Sequence, residues 1–161
     1  MYHGAIKYGR RKFLNQIFSN GFCTAITLNT TFMRNSTGVV TRRCNQNVKD
    51  TVNRLVVFLV KNGATIYARI DQQQELKNAG RDIGPLEFVL FGNAKGGGTL
   101  MAENPLVALD LPLKVIVYED QEKITWLAYN QGSYIEERYQ LKHNPQSPLF
   151  LDTLIDKALT T

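Results

Sequence analysis

Between Gly38 and the C-terminus, apolar and polar positions alternate in two rhythms. Val48, Val52, Leu55, Val56, Leu59 and Val60 recur at three- and four-residue intervals, which puts one apolar stripe on a helix. Asn47, with Asp50 three residues on, opens that helix, and Asn62-Gly63 closes it. Thr65–Ile70 instead alternates every second residue, Ile66, Ala68 and Ile70 against Thr65, Tyr67 and Arg69, as a half-buried strand does. Val39–Thr41, Leu86–Phe91, Leu113–Tyr118 and Lys123–Tyr129 read as further strands, the last two joined across Glu119–Glu122 as an antiparallel hairpin. A polar helix is expected over Gln72–Ala79, a short apolar one opens at Asn104-Pro105, and Pro112 stops it. Ser133 and Glu136 form a capping box for another helix, and Ser147-Pro148 opens a last one carrying Leu151, Leu154, Ile155, Ala158 and Leu159 on one face. The order predicts an α+β fold, a β-α-β(4)-α layout whose mostly antiparallel sheet has its amphipathic helices on one face.

A length of 161 residues suits one domain with a single core. The net charge of +5 suggests nucleic acid until its distribution is considered. Residues 1–49 hold eight Lys or Arg and no acid, whereas residues 50–161 hold eleven basic and fourteen acidic side chains. The folded part is therefore mildly acidic and lacks the basic stripe that phosphates require, so no nucleic-acid partner is expected.

The basic front belongs to a distinct segment, taken as residues 1–35, with the domain over 36–161. Tyr8-Gly9-Arg10-Arg11-Lys12-Phe13-Leu14 resembles a twin-arginine export signal, and Asn15–Met33 follows without a charge. The composition also suits an organellar transit peptide or a peripheral segment of a cytoplasmic protein, so export to the periplasm and a cytoplasmic location both stay open. The stretch is too weakly apolar for stable membrane insertion. Cys23 and Cys44 read as unpaired thiols, and with histidine only at 3 and 143 no metal-ligand set is visible. No cofactor is expected.

One stretch looks built to meet a ligand. Gly92-Asn93-Ala94-Lys95-Gly96-Gly97-Gly98-Thr99 follows a strand, and its backbone N–H groups with Lys95 suit a carboxylate or phosphate. It lacks the order of a Walker loop, and a plain flexible turn explains the glycines equally. Asp71, Glu87, Asp110 and Glu119 end strands or helices, but spacing cannot bring any two within catalytic reach. Asp110 also suits a local turn acceptor. Tyr129, Asn130 and Tyr134 lie where a strand meets a helix and would either line a pocket beside the glycines or pack the core edge. His143 reads as a solvent-exposed loop residue.

Ile70-Asp71, Ala79-Gly80, Pro85, Phe91-Gly92-Asn93, Leu100-Met101 and Leu109-Asp110-Leu111-Pro112-Leu113-Lys114-Val115, followed by Trp126 and Tyr129-Asn130, resemble the domain-of-unknown-function 302 family from about Gly38 to Tyr139. The resemblance implies a fold similar to the TATA-binding-protein-like architecture, often dimeric, without implying DNA binding. Two positions depart from the family pattern. Gln72 stands where a His commonly follows the strand-ending Asp, and Ala94 stands where Gly-Asn is followed by Pro. Gln72 keeps a hydrogen bond but no proton switch or metal ligand. The sequence thus points first to a non-enzymatic binder of a small polar or anionic ligand, with Asp71, Gln72, Gly92, Asn93, Lys95, Gly96, Gly97, Gly98, Asp110 and Tyr129 as candidate contacts. A homodimeric interaction module is the alternative, and a metal-independent enzyme of unknown reaction the third.

Overall fold

The computed structural model describes residues 32–34 and 38–160. The leader-like stretch up to residue 31 and Cys23 lie outside the described residues. Six antiparallel strands form one sheet: β1 (Phe32–Arg34), β2 (Val39–Arg43), β3 (Thr65–Asp71), β4 (Leu86–Gly92), β5 (Leu113–Glu119) and β6 (Thr125–Asn130), in the order β1-β2-β6-β5-β4-β3. Five helices join them: α1 (Val48–Lys61), α2 (Gln72–Asn78), α3 (Ala94–Glu103), α4 (Gly132–Arg138) and α5 (Asp152–Thr160), with a 3-10 turn at Pro105–Leu109. The α+β class and its layout agree with the sequence pattern. The added element is β1, which pairs Phe32 with Arg42 and Arg34 with Val40 and so lies within the stretch grouped with the leader.

Alternation along the strands sorts the two faces. Val40, Val89, Val115, Val117 and Leu127 point to one side and are fully buried there. On that side α1 contributes Val52, Leu55 and Leu59, and α5 contributes Ile155 and Ala158. Polar groups close the layer: Arg42 of β2, nearly inaccessible, donates to Asp152 at 3.0 Å and Asp156 at 2.9 Å, and Arg54 of α1 donates to the Leu159 carbonyl at 2.8 Å. The opposite face carries Ile70, Phe88, Leu90, Ile116 and Trp126, all half-buried.

Several helix starts differ from the sequence pattern, each for a tertiary reason. The Gly-rich stretch is a helix, α3, and not a loop. Asn93 caps it by accepting the Lys95 N–H at 2.9 Å, and the Gly97 N–H is spent on the Asn93 carbonyl at 2.9 Å. Ser133 lies inside α4, whose cap position is Gln131 and carries no side-chain cap bond. The Gln131 N–H is held instead by the Gly38 carbonyl at 2.7 Å, and Gly132 packs so tightly that a Cβ there would sit 2.8 Å from the Leu149 carbonyl oxygen. Ser147-Pro148 does not begin α5. It belongs to a turn that drives Leu149 and Leu151 into the core, and the helix starts at Asp152. The strand expected from Lys123 begins at Thr125, because Lys123 occupies the turn with a φ of 62°.

Candidate functional site

At the end of the sheet where β4 stops and β5 starts lies a half-open cavity of about 180 Å³. Gly92 and Asn93 lead from β4 into its rim, and Ala94, Gly97 and Met101 present one side of α3 to it. Leu111, Pro112 and Leu113 form the opposite wall, Tyr67 and Pro148 the remaining sides. Tyr67 reaches this place through a register irregularity in the pairing of β3 with β4 between Ile66 and Ala68. Such an extra residue bends a strand and re-aims a side chain.

Glycines border the cavity. A Cβ on Gly92 would lie 3.4 Å from the Tyr67 ring, an ordinary van der Waals contact. A Cβ on Gly96 would lie 3.0 Å from Pro148 Cγ, so with any larger residue Pro148 would have to shift by a few tenths of an ångström. A Cβ on Gly97 would stand 3.9 Å from both Leu111 Cδ1 and Met101 Cε, inside the open space itself. Gly98 faces no neighbour within 4 Å. Three successive glycines each weaken a helix relative to alanine, and two of them are accounted for by what lies beside them.

The candidate residues do not converge. Gly92, Asn93 and Gly97 line the cavity, and Gly96 supports it from behind, while Lys95 is exposed and outside the lining. Asp71 and Gln72 sit at the other end of the sheet. Asp71 pairs with Glu87, five residues along β4 from Gly92, which is about 17 Å at strand rise. There Asp71 caps α2 by accepting the Gln74 N–H at 2.9 Å. Tyr129 points into the core, where its hydroxyl donates to Asp152 at 2.8 Å; burial first, then that carboxylate, raise its pKa above the usual phenol range. It is a core residue and not a pocket wall. Asp110 is neither a local turn acceptor nor part of a carboxylate pair: it accepts from the Tyr139 hydroxyl at 2.6 Å and lies 3.4 Å from the Arg138 guanidinium. It thereby ties the 3-10 turn to the end of α4, and the shared proton raises the Tyr139 pKa. Asn130 belongs to a separate recess of about 80 Å³ beside Asp110 and Lys114, and Tyr134 covers Gly38.

Elsewhere the polar groups are engaged in structure. Glu87 pairs with Arg69 at 2.6 Å, and Glu119 accepts from Lys123 at 2.9 Å. His143, although largely exposed, is not isolated: its Nδ1 lies 2.8 Å from the buried carboxylate of Glu136, which also accepts the Asn144 N–H at 3.2 Å. Cys44 is a free, buried thiol whose pKa burial pushes up to about 11, which keeps it protonated and unreactive at neutral pH. Among the described residues, no three His, Cys, Asp or Glu are grouped to hold a metal ion.

Tyr67, Met101, Leu111 and Pro148 were not legible as site residues. Each reads as an ordinary apolar or turn position, and only the strand irregularity and the turn before α5 bring them together. The sequence signal nearest to them is the run of glycines, which forms a helix and not the expected loop.

Comparison with known proteins adds a fold and a family. A solved structure, the uncharacterized conserved protein DUF302 from Bacillus stearothermophilus, superposes with a TM-score of 0.64 at 19% identity, over 77% of this chain and 97% of that one. Among curated proteins, the fluoride-specific ion channels FluC 1 of Brucella suis and FluC 1 of Brucella abortus are each 30% identical over 104 residues, 65% of this chain. The match spans 41% and 38% of those relatives, so the chain corresponds to about two fifths of their length. No described helix is long and apolar enough to cross a membrane. The domain of unknown function DUF302 matches over residues 40–158, and the chain belongs to that family.

Proposed function

We propose that the protein is a non-enzymatic domain that binds a small molecule in the cavity between α3 and the β4–β5 end of the sheet. The observation that carries this reading is a concave apolar recess bordered by Gly97 of a helix that three glycines make costly. Chain that only needed to connect β4 to β5 would gain stability from alanine at Gly97, where a methyl group has room. Retaining glycine there keeps the recess empty of protein atoms. The matching segment of the fluoride channels lies within a longer chain, which suits a ligand-responsive unit that also serves beside other domains. The test is native mass spectrometry of protein purified from its own cell, paired with a thermal-shift fragment screen on wild type and Gly97→Val. A bound small molecule, or fragments that stabilise wild type and not the variant, is expected. A full library without a stabiliser, and protein without an adduct, would remove the reading.

A second reading rests on the other face of the sheet. Ile70, Phe88, Leu90, Ile116 and Trp126 form an apolar surface opposite α1 and α5, of the kind that marks a protein contact. We propose it as the face of a homodimer. Light scattering on wild type and Phe88→Glu decides this: a dimer that the charge splits supports it, and a wild-type monomer at high concentration sets it aside.

A further inference from the structure

We propose that the ligand of this cavity is an uncharged molecule of single-ring size, aromatic or alicyclic, and not a carboxylate or phosphate. The inference rests on the binding reading above and concerns the class of ligand. Three observations lead to it.

Size comes first. A cavity of about 180 Å³ is close to the roughly 150 Å³ at which a dry, apolar protein cavity accepts benzene. A ring with one or two small substituents fills that space.

The second is the chemistry of the walls. None of the residues that line the cavity is an Asp, Glu, Lys, Arg or His. Met101, Leu111, Pro112 and Pro148 offer aliphatic or thioether surface, and Met sulfur favours the edge of an aromatic ring. A charged ligand would leave water with no opposite charge to meet it, which is unfavourable unless the group is paired.

The third is the state of the polar groups that had suggested an anion. The Asn93 amide is engaged at both ends: its Oδ1 accepts from the Lys95 N–H at 2.9 Å, and its Nδ2 donates to the Gly63 carbonyl at 3.3 Å. The Gly97 N–H is inside the helix ladder. Lys95 stands outside the lining. Apart from Asn93, the lining side chain that carries a polar atom is Tyr67, a residue 55% exposed, which suits a single hydroxyl or carbonyl on the ring at the mouth.

Met101 makes the test direct, since the chain has 3 methionines and a methyl-¹³C-methionine label gives few signals. The full chain is titrated with benzene, cyclohexane, benzoate and inorganic phosphate in turn. Benzene or cyclohexane should shift the Met101 methyl saturably, while benzoate and phosphate should not. Gly97→Val should weaken that binding at least tenfold. Valine is no worse than glycine in a helix, so the variant should keep the wild-type melting temperature, and Gly97→Ala, with a smaller side chain, should show an intermediate loss. Saturation by benzoate or phosphate, with neither hydrocarbon binding, would overturn the ligand class and leave the site reading standing. No response to any of the four probes would overturn both. Equal hydrocarbon binding by wild type and Gly97→Val would place the ring elsewhere and overturn the proposal.

Discussion

Two helices of this fold begin alike and owe their existence to different causes. Both α1 and α3 start at an asparagine whose side chain accepts a backbone N–H at 2.9 Å: Asn47 from Asp50, Asn93 from Lys95. From there α1 runs for 14 residues and buries Val48, Thr51, Val52, Leu55 and Leu59. By contrast α3 runs for 10, buries Leu100, and spends three positions on glycine. At about 1 kcal/mol per glycine relative to alanine, those positions cost the helix roughly 3 kcal/mol. Amphipathic burial therefore makes α1 a helix, even though five of its residues are β-branched valines of low helix propensity. The helix α3 exists because Asn93 caps it, Leu100 anchors it, and Gly96 lets it close on Pro148. A helix that is poor by its own composition marks a place where something other than stability set the residues.

The largest expected effect tests the α1 half of that comparison. Leu55→Ala should lower global stability by about 2–5 kcal/mol in urea unfolding, because Leu55 is 1% exposed and its removal leaves a void. A loss below about 1 kcal/mol would mean that α1 is not the centre of the core. Next come the two caps. Asn47→Ala should cost about 1 kcal/mol globally. Asn93→Ala, in contrast, should act locally and speed hydrogen exchange of α3 amides while those of β5 stay protected. If both substitutions lower global stability equally, the two helices belong to one cooperative unit and the contrast fails.

Gly98→Ala sharpens the same point with the sign reversed. Its Cβ meets no atom within 4 Å, so the variant should be stabilised by up to about 1 kcal/mol, read as a higher denaturation midpoint with slower exchange in α3. Destabilisation would show that α3 needs flexibility at that position.

The smallest effect concerns the β5–β6 turn, a second element stabilised by neighbours in sequence. Asp120 accepts from the Ile124 and Glu122 N–H groups at 2.9 Å each and from Trp126 Nε1 at 2.7 Å. Those bonds, the Ile124 N–H first and then the indole, hold its pKa below 3.8. A lowered folded pKa contributes stability above the unfolded value and loses it as pH falls through the folded one. The turn should thus be unaffected above about pH 4 and loosen below it. Trp126 fluorescence in wild type should change there, and in Asp120→Asn it should not. An identical acid transition in both would assign it to other carboxylates.

How much was legible follows from the same division. The face of α1, the Asn47 and Asn62-Gly63 boundaries and the β5–β6 pairing all depend on residues within a few positions of one another, whereas the single alternation expected for β3 is broken between Ile66 and Ala68. Local sequence therefore carried them, and with them the α+β class. The family resemblance was legible too, because Gly92-Asn93 and Leu109–Val115 sit at the β4–α3 and β5 junctions that define the topology. The candidate site was half legible: the glycines lie in a segment that borders the cavity, but Gly-Gly-Gly by itself favours a loop and not the helix observed.

What only tertiary structure decided has one physical cause in each instance. Contact with a distant backbone or side chain outweighed a local preference of about 1 kcal/mol or less. Gly132 against the Leu149 carbonyl moved the start of α4 away from Ser133, and burial of Leu149 and Leu151 delayed α5 to Asp152. Pro148 against Gly96 seated α3, and the irregularity at Tyr67 completed the cavity wall. Asp110 and Tyr129, both polar candidates in sequence, were drawn into bonds with Tyr139 and Asp152, 29 and 23 residues away. The sequence by itself determined which segments are helix or strand wherever an apolar stripe or an alternation was present. The cavity, built from side chains far apart along the chain, came into being only when the sheet brought β3, β4 and β5 together, because packing distances and not sequence spacing decide which walls meet.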